Sequence, residues 1–428
     1  MKYVIVIPDG AADEAQASLG GKTPLEAARI PHMDSIARRG ILGWADNVPP
    51  SLTAASDVAT LSLFGYDPMR YYTGRAPLEA RAMGINLGPE DFAVRCNLVH
   101  APGDVMADFT AGHIGNEEGA ALIATLQEKL GGKRIVQGDS GPVEVVLEFH
   151  PGVSYRNLMI VRGGALAGKP AALDSTTKTQ APHDVPDQPT GPHLPKGTGG
   201  AWLTQLMEES KKLFAGHPAN EGRVARGKKA ATQCWLWGQG RVPSLDSFEM
   251  MHGLKGAIIS AVDLVRGVGQ LIGWKRVDVA GATGYLDTDY AAKGRQAIEC
   301  LKDHDLVCVH VEAPDEASHE GRADAKVRAI EEIDAHIVGP LLKALEGMGQ
   351  YRILVEPDHR TLIRTKAHTH GPVPFALAGA GIASPANPPA GYHEAGVPAD
   401  FVVQTGHQLL GAWMIRRKVQ GSDSAASG

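Results

Sequence analysis

The stretch LVCVHVEAPDEASHEG, Leu306–Gly321, joins an apolar run to carboxylate and imidazole side chains, types able to ligate a metal. Leu306 to Val311 is the kind of apolar, β-branched run that fills a strand covered on both faces of a sheet. It runs straight into Asp315 and His319. Two other runs behave in the same way: Val4 to Ile7 leads into Asp9 in VIVIPDG, and Ile353 to Val355 leads into Asp358 and His359 in VEPDH. Ligands in open α/β sheets bind beyond the carboxyl ends of strands, so three strands delivering polar residues from that end predict one convergent site.

Around these strands, apolar runs alternate with helical patterns, which predicts an α/β fold with a sheet covered by helices on both faces. From Ala323 to Leu345 the residues Val327, Ile330, Ile333, Ile337, Leu341 and Leu345 recur every three or four positions, predicting one amphipathic helix. The central stretch differs. It has strands of its own (Ala93 to Val99, Val143 to Phe149, Leu158 to Val161) and a Pro/Gly-rich loop, Ala181 to Gly200, that reads as a surface connection or as a substrate-facing lid. Ligands flank this stretch on both sides, so residues 1–92 and 252–428 are expected to form a metal-binding domain, with 93–251 inserted as a second α+β domain. Such an insertion implies two linkers and a cleft able to open and close. The small, polar tail Gly421 to Gly428 is expected to be disordered.

The 428 residues, 43% of them hydrophobic, suffice for two domains with substantial cores. A net charge of −6 argues against general affinity for nucleic acid or an acidic membrane, and leaves small anions to be captured by a few local arginines. The four cysteines, Cys96, Cys234, Cys300 and Cys308, lack a C-x-x-C pair and form no disulfide framework, which fits a reducing cytoplasm. A strand already starting at Tyr3 leaves no room for a signal peptide. No apolar run approaches the roughly 20 residues of a membrane span. Homo-oligomerisation is left open.

Asp315 and His319, four residues apart, could meet a metal on one turn of backbone, though such pairs are more often solvated. Asp358-His359, directly after a buried strand, has little reason to be there for folding. His368 and His370 flank Thr369, and only one need be a ligand. With Asp9 these residues suffice for two divalent ions, and mixed carboxylate and imidazole ligation suits Mn²⁺ or Zn²⁺. Paired ions hold the attacking and leaving oxygens of an in-line phosphoryl displacement. Ser56, ahead of the predicted helix Asp57 to Leu63, reads as an N-cap whose free N–H groups would also suit a phosphoserine.

The segments VIPDG, SDVATLSLFGYDP, PDEASH, PDH and HTHGPVPF, in this order, resemble the cofactor-independent phosphoglycerate mutases of the alkaline phosphatase superfamily. GVSYRNLMIVRG, GAIISAVDLVRGVG and GATGYLDTDY bring the likeness closest to the archaeal-type branch, over nearly the whole chain. The resemblance implies an alkaline-phosphatase-like domain with an inserted substrate domain. It further implies interconversion of 2- and 3-phosphoglycerate through a phosphoserine, a step of glycolysis and gluconeogenesis. Carried over by motif, Asp315, His319 and His368 hold one metal, and Asp9, Asp358, His359 and Ser56 hold the second. Lys293, in DTDYAAKGR, is a candidate to neutralise the phosphoryl group, although a surface helix is a commoner place for such a lysine.

A substrate with a carboxylate and a phosphate calls for guanidinium groups, and Arg75, Arg156 and Arg241 are the candidates, with His183 beside them. Asp184 is the expected general acid/base, with His183 and Asp108 behind it. The paired Arg-Asp motifs of the longer bacterial branch are missing, so its substrate residues do not transfer. The WGQG segment, Trp237 to Gly240, is similar to archaeal-type bacterial sequences proposed as homoserine kinases, yet no nucleotide-binding loop of the G-x-x-x-x-G-K-[ST] kind is present. A phosphoester hydrolase, or a metal-bound protein without activity, are further alternatives.

Overall fold

A computed structural model of the chain describes residues 1–398 and 401–416; the tail expected to be disordered lies outside the described residues. The chain divides into two compact units, one of Met1–Tyr72 with Ser244–Gly428 and one of Thr73–Pro243. These boundaries differ from the expected 93 and 251. The short helix Ala76–Ala82 packs through Ala76 and Ala80 on Ala93, Leu158 and Ile160 and so falls in the second unit. Phe248 packs its ring against Trp274 and so falls in the first.

The first unit is built on a sheet of eight described strands, in the order Val402–Val403, Ile41–Ala45, Val373–Gly379, Tyr351–Val355, Lys2–Pro8, Leu306–Val311, Gly256–Ile259, Lys275–Val277. The five from Tyr351–Val355 to Lys275–Val277 run parallel, which requires crossover helices and burial of both faces. On one face Val4, Val6, Val307, Val309 and Ile353 pack with Met33, Ile36, Leu301, Ile330 and Leu341 from covering helices. On the other, the helix Asp263–Leu271 comes so close that a Cβ on Gly269 would lie 2.9 Å from Ile258. Among the described residues no helix is long and apolar enough to cross a membrane. All four cysteines are buried and unpaired.

The single helix expected from Ala323 to Leu345 is interrupted. Helix Ala323–Ile333 passes through a π turn, Asp334–Val338, into helix Gly339–Gly347. Pro340 has no N–H to give the His336 carbonyl, so the regular ladder cannot continue, and the Gly339 N–H reaches back to Asp334 O. The Asp334 carboxylate accepts the N–H groups of His32 and Met33 and thereby caps the helix Pro31–Arg39.

The second unit is a five-stranded antiparallel sheet in the order Gly132–Gln137, Pro142–Val153, Arg156–Arg162, Phe92–Val99, Gln233–Gly240. Helices Asn116–Leu130 and Gly200–Phe214 cover one face through Leu122, Leu126, Leu203 and Met207. The Pro/Gly-rich loop is strapped to this unit by main-chain bonds from Met106 N–H to Gln188 O, Asp187 N–H to Met106 O and Thr190 N–H to Asp104 O.

In the first unit, Lys326 Nζ donates to Asp13 Oδ2 and to Thr361 O, both at 2.8 Å, with the paired side chains fully buried. Removing the ammonium strands a buried carboxylate, so Lys326→Met is expected to lower stability by about 3–5 kcal/mol. Urea unfolding of the metal-free protein checks this; a loss below about 1 kcal/mol would mean that main-chain donors alone satisfy Asp13.

Candidate active site

Asp315 and His319 sit on the helix Ala313–Glu320, which opens directly after the strand Leu306–Val311. Four-residue spacing puts both on one face, with His319 Nε2 3.0 Å from Asp315 Oδ2. The strand Ala367–Thr369, paired with Arg360–Leu362, adds His368, whose Nε2 lies 3.4 Å from Asp315 Oδ1 and 3.1 Å from His319 Nε2. The His319 Nδ1–H donates to the Lys366 carbonyl at 2.9 Å, which turns Nε2 toward this group. His370 turns elsewhere and donates from Nε2 to Leu52 O.

A second group forms where two neighbouring strands end. His359 Nε2 lies 3.6 Å from Asp9 Oδ1, 3.2 Å from Asp358 Oδ2 and 3.0 Å from Ser56 Oγ. Asp9 Oδ1 and Asp358 Oδ2 are buried without hydrogen-bond partners. Their other oxygens are held: Asp9 Oδ2 by His310 Nε2 at 2.8 Å, and Asp358 Oδ1 by the N–H groups of Gly10 and His359. Each carboxylate thus offers one unsatisfied oxygen beside the same imidazole, as a cation site requires. The two groups nearly touch. Gly10 stands between them at φ +60°, and a Cβ there would lie 2.5 Å from both Asp315 Oδ1 and Thr361 Oγ1.

Electrostatics point the same way. Burial, reinforced by Asp358 and Glu312, holds Asp9 well above the usual carboxylate range, and burial pushes Glu312 up to about 7. Carboxylates so crowded call for positive charge. Burial also lowers His359 to about 4, keeping it in the neutral form that ligates metals. For Asp315 burial is outweighed by hydrogen bonds with His319 and His368, which hold it well below its ordinary value.

Ser56 is the first residue of the helix Ser56–Leu63, and Ala55 occupies the N-cap. The expected capping role is therefore corrected: the Ser56 hydroxyl caps no N–H and engages His359 instead. Lys293 is not on a solvated surface. It is fully buried on the helix Tyr290–Cys300, with Nζ 3.5 Å from His310 O, and burial lowers it to about 8.

Sequence reasoning overlooked His310 and Glu312. Val262 N–H donates to Ser260 Oγ, so the Ser260 hydrogen is free to go to His310 Nδ1 at 3.1 Å. His310 then carries its own hydrogen on Nε2 and gives it to Asp9. Glu312 Oε2 lies 3.8 Å from that nitrogen. The signal was present as a lone imidazole inside an otherwise apolar strand.

The candidates of the second unit are less closely grouped. Arg75 pairs with Glu79 at 3.1 Å, and Arg156 lies over the Tyr155 ring. The Arg241 guanidinium is committed to the Pro89 carbonyl. Asp184 is solvent-exposed and accepts from Gln180, His183 stacks edgewise on Trp237, and Asp108 is tied to Lys229 and Thr110. A residue not anticipated is Arg95, buried on the strand Phe92–Val99, 2.9 Å from Glu79 and stacked 4.1 Å from the Trp237 ring centre. Period-two alternation would have shown Arg95 and Asn97 sharing one sheet face.

Comparison with known proteins bears on what this geometry serves. Residues 37–220 match the family model for 2,3-bisphosphoglycerate-independent phosphoglycerate mutase. A protein of that name from Methanothrix thermoacetophila is 47% identical over 383 residues, 89% of this chain and 92% of the relative. This chain belongs to the 2,3-bisphosphoglycerate-independent phosphoglycerate mutase family. A Geobacter sulfurreducens protein, named as a probable phosphoglycerate mutase of the same kind, is 46% identical over 96% of this chain and 98% of its own length. Among solved structures, the PH0037 protein from Pyrococcus horikoshii matches 96% of this chain and 95% of its own, at TM-score 0.75 and 26% identity. The cofactor-independent phosphoglycerate mutase from Thermoplasma acidophilum shares the fold at TM-score 0.61 and 24% identity, over 96% of this chain and 98% of its own.

The donor sets of this phosphoglycerate mutase family member fit divalent cations. Mn²⁺ at 100 times its dissociation constant is expected to stabilise the metal-free protein by about 2.7 kcal/mol per site. Scanning calorimetry reads the rise in thermal midpoint. An Asp358→Ala protein that gained as much as the parent would remove the second group from cation binding.

Proposed function

We propose that the protein interconverts 3-phosphoglycerate and 2-phosphoglycerate by way of a phosphoserine on Ser56, with divalent ions held by the two ligand groups. The carrying observation is Ser56 Oγ at 3.0 Å from His359 Nε2, beside the unpartnered oxygens of Asp9 and Asp358. Asp315, His319 and His368 would hold one ion, and Asp9, Asp358, His359 and Ser56 the other. Bound ions would lower the pKa of the serine hydroxyl and stabilise charge on the transferring phosphoryl oxygens. Mn²⁺ or Zn²⁺ suits the mixed donors.

The Ser56 hydroxyl gives up its proton as Oγ attacks phosphorus, forming the Oγ–P bond while the bond to the C3 oxygen breaks, and that oxygen takes up a proton. The glycerate then turns, its C2 hydroxyl loses a proton and attacks the phosphoserine, and the Oγ–P bond breaks as Ser56 Oγ regains a proton. Asp184 is the proposed proton carrier. Lys293 contributes buried positive charge along the strand that carries His310. The inserted domain supplies the anion grip: Arg95, held rigid by Glu79 and Trp237, joins Arg75, Arg156, Arg241 and His183 in that role. The buried, unpaired thiols accord with a reducing cytoplasm.

The metal-loaded protein, given 3-phosphoglycerate without 2,3-bisphosphoglycerate or ATP, is expected to form 2-phosphoglycerate. Silence in that assay, with ATP-dependent phosphorylation of homoserine, would replace the mutase reading by the kinase one. Ser56→Ala is expected to abolish exchange while keeping the fold, and wild-type turnover in that variant would exclude the phosphoserine. Arg95→Met is expected to raise KM by about tenfold or more, the scale of one charge-assisted hydrogen bond. Unchanged kinetics would return Arg95 to a purely structural role.

A further inference from the structure

Thr361 belongs to neither ligand group, yet its hydroxyl touches both. It lies fully buried on the strand Arg360–Leu362, with Oγ1 2.5 Å from Asp315 Oδ1 and 3.1 Å from His359 Nδ1. Its main chain is tethered at both ends, N–H to Ala12 O and C=O to Lys326 Nζ. The position of the hydroxyl is therefore set by the fold.

The hydrogens around this oxygen can be assigned by counting. A threonine hydroxyl has one hydrogen to give and can accept others. Asp315, flanked by two imidazoles, is an acceptor, and the short contact to it is that of a hydroxyl donating to a carboxylate. With its hydrogen spent there, Thr361 Oγ1 can only accept from His359. The hydrogen of the His359 ring must then sit on Nδ1, which leaves the lone pair on Nε2, the nitrogen facing Ser56 Oγ, Asp358 Oδ2 and Asp9 Oδ1.

We propose that Thr361 is a positioning residue shared by the two groups: one hydroxyl orients Asp315 in the first and fixes His359 of the second in the tautomer that presents Nε2 to a cation beside Ser56. The proposal rests on reading the two groups as metal ligands. It extends that reading by coupling them, since anything that turns Asp315 also releases the His359 ring. The neighbourhood leaves little room for a substitute; Gly10 already packs against the same two oxygens.

The test compares Thr361→Val, which keeps the shape and removes the hydroxyl, with Thr361→Ser, which keeps the hydroxyl. Mn²⁺ binding to the metal-stripped proteins is measured by titration calorimetry, with circular dichroism as the check on folding. Thr361→Val is expected to bind Mn²⁺ about 10–100-fold more weakly, and Thr361→Ser to remain within about threefold of the parent. Nitrogen NMR of histidine-labelled, metal-free protein adds a readout independent of metal and turnover: His359 Nδ1 carries the hydrogen in the parent and in Thr361→Ser, and loses that preference in Thr361→Val. Parental affinity and an unchanged tautomer in Thr361→Val overturn the proposal. So does a folded Thr361→Ser as defective as the valine variant. Asp358→Ala separates the two levels. If it too binds like the parent, the ligand reading falls and takes the proposal with it; if it binds weakly while Thr361→Val does not, only the role of Thr361 is lost.

Discussion

The structure is organised around carboxylates kept together and out of water at the carboxyl ends of three neighbouring parallel strands. Asp9, Asp315 and Asp358 are each almost wholly buried, and Glu312 and Glu356 lie close by in sequence and space. Burying an ionised carboxylate without compensation costs several kcal/mol, so a fold that gathers so many must satisfy them one oxygen at a time. It does so with main-chain N–H groups at Asp358 and an imidazole at Asp9. Glu356 takes the amide of Asn47, and burial still pushes it up to about 8. What remains unsatisfied faces inward beside His359 and Ser56, and a divalent ion is the chemical species that would satisfy it.

The sheet fixes where those oxygens lie. Pro8 pairs with Val311 and Val6 with Val355, so the residues that follow emerge abreast from three neighbouring strands. Slipping any of these pairings by one residue would exchange the two faces and set each side chain against the wrong covering layer. The register that buries Val4, Val6, Val307, Val309 and Ile353 therefore also sets the spacing of the candidate ligands. Packing energy and site geometry are specified together, and that is why the site can afford unfavourable electrostatics.

This coupling explains what was legible in the sequence. Strands buried on both faces read as continuous apolar runs, and Leu306–Val311 was read at its observed ends, while Val4 to Ile7 lies within the observed Lys2–Pro8. The residues just past those runs stand out because folding gives no reason for them. What depended on tertiary contact was not legible. Periodicity crosses the π turn at Asp334–Val338 unchanged, since apolar spacing does not register the N–H missing at Pro340. The short helix Ala76–Ala82 is too brief for a periodic signal, so the unit boundary was misplaced. Arg95 looks like any strand arginine until Glu79 and Trp237 are seen to enclose it. His368 and His370 are alike as letters; the family likeness singles out His368, and its pairing with Thr361 is the physical reason it stands beside Asp315.

Hydrogen placement on the imidazoles then separates candidate ligands from supports. At His319 a carbonyl accepts from Nδ1, and at His359 the threonine oxygen does the same, so both rings turn Nε2 toward their groups. At His310 the polarity is reversed: Ser260 gives its hydrogen to Nδ1, and Nε2–H is spent on Asp9. In this arrangement His310 has no lone pair directed at the Asp9 carboxylate, although its ring lies as close to the cluster as the others. It acts on Asp9, holding one oxygen so that the second is aimed toward Asp358 and His359. Three histidines gathered at one site thus perform two different tasks. The difference lies in a serine, a threonine and one main-chain carbonyl, each set against the far nitrogen of its ring.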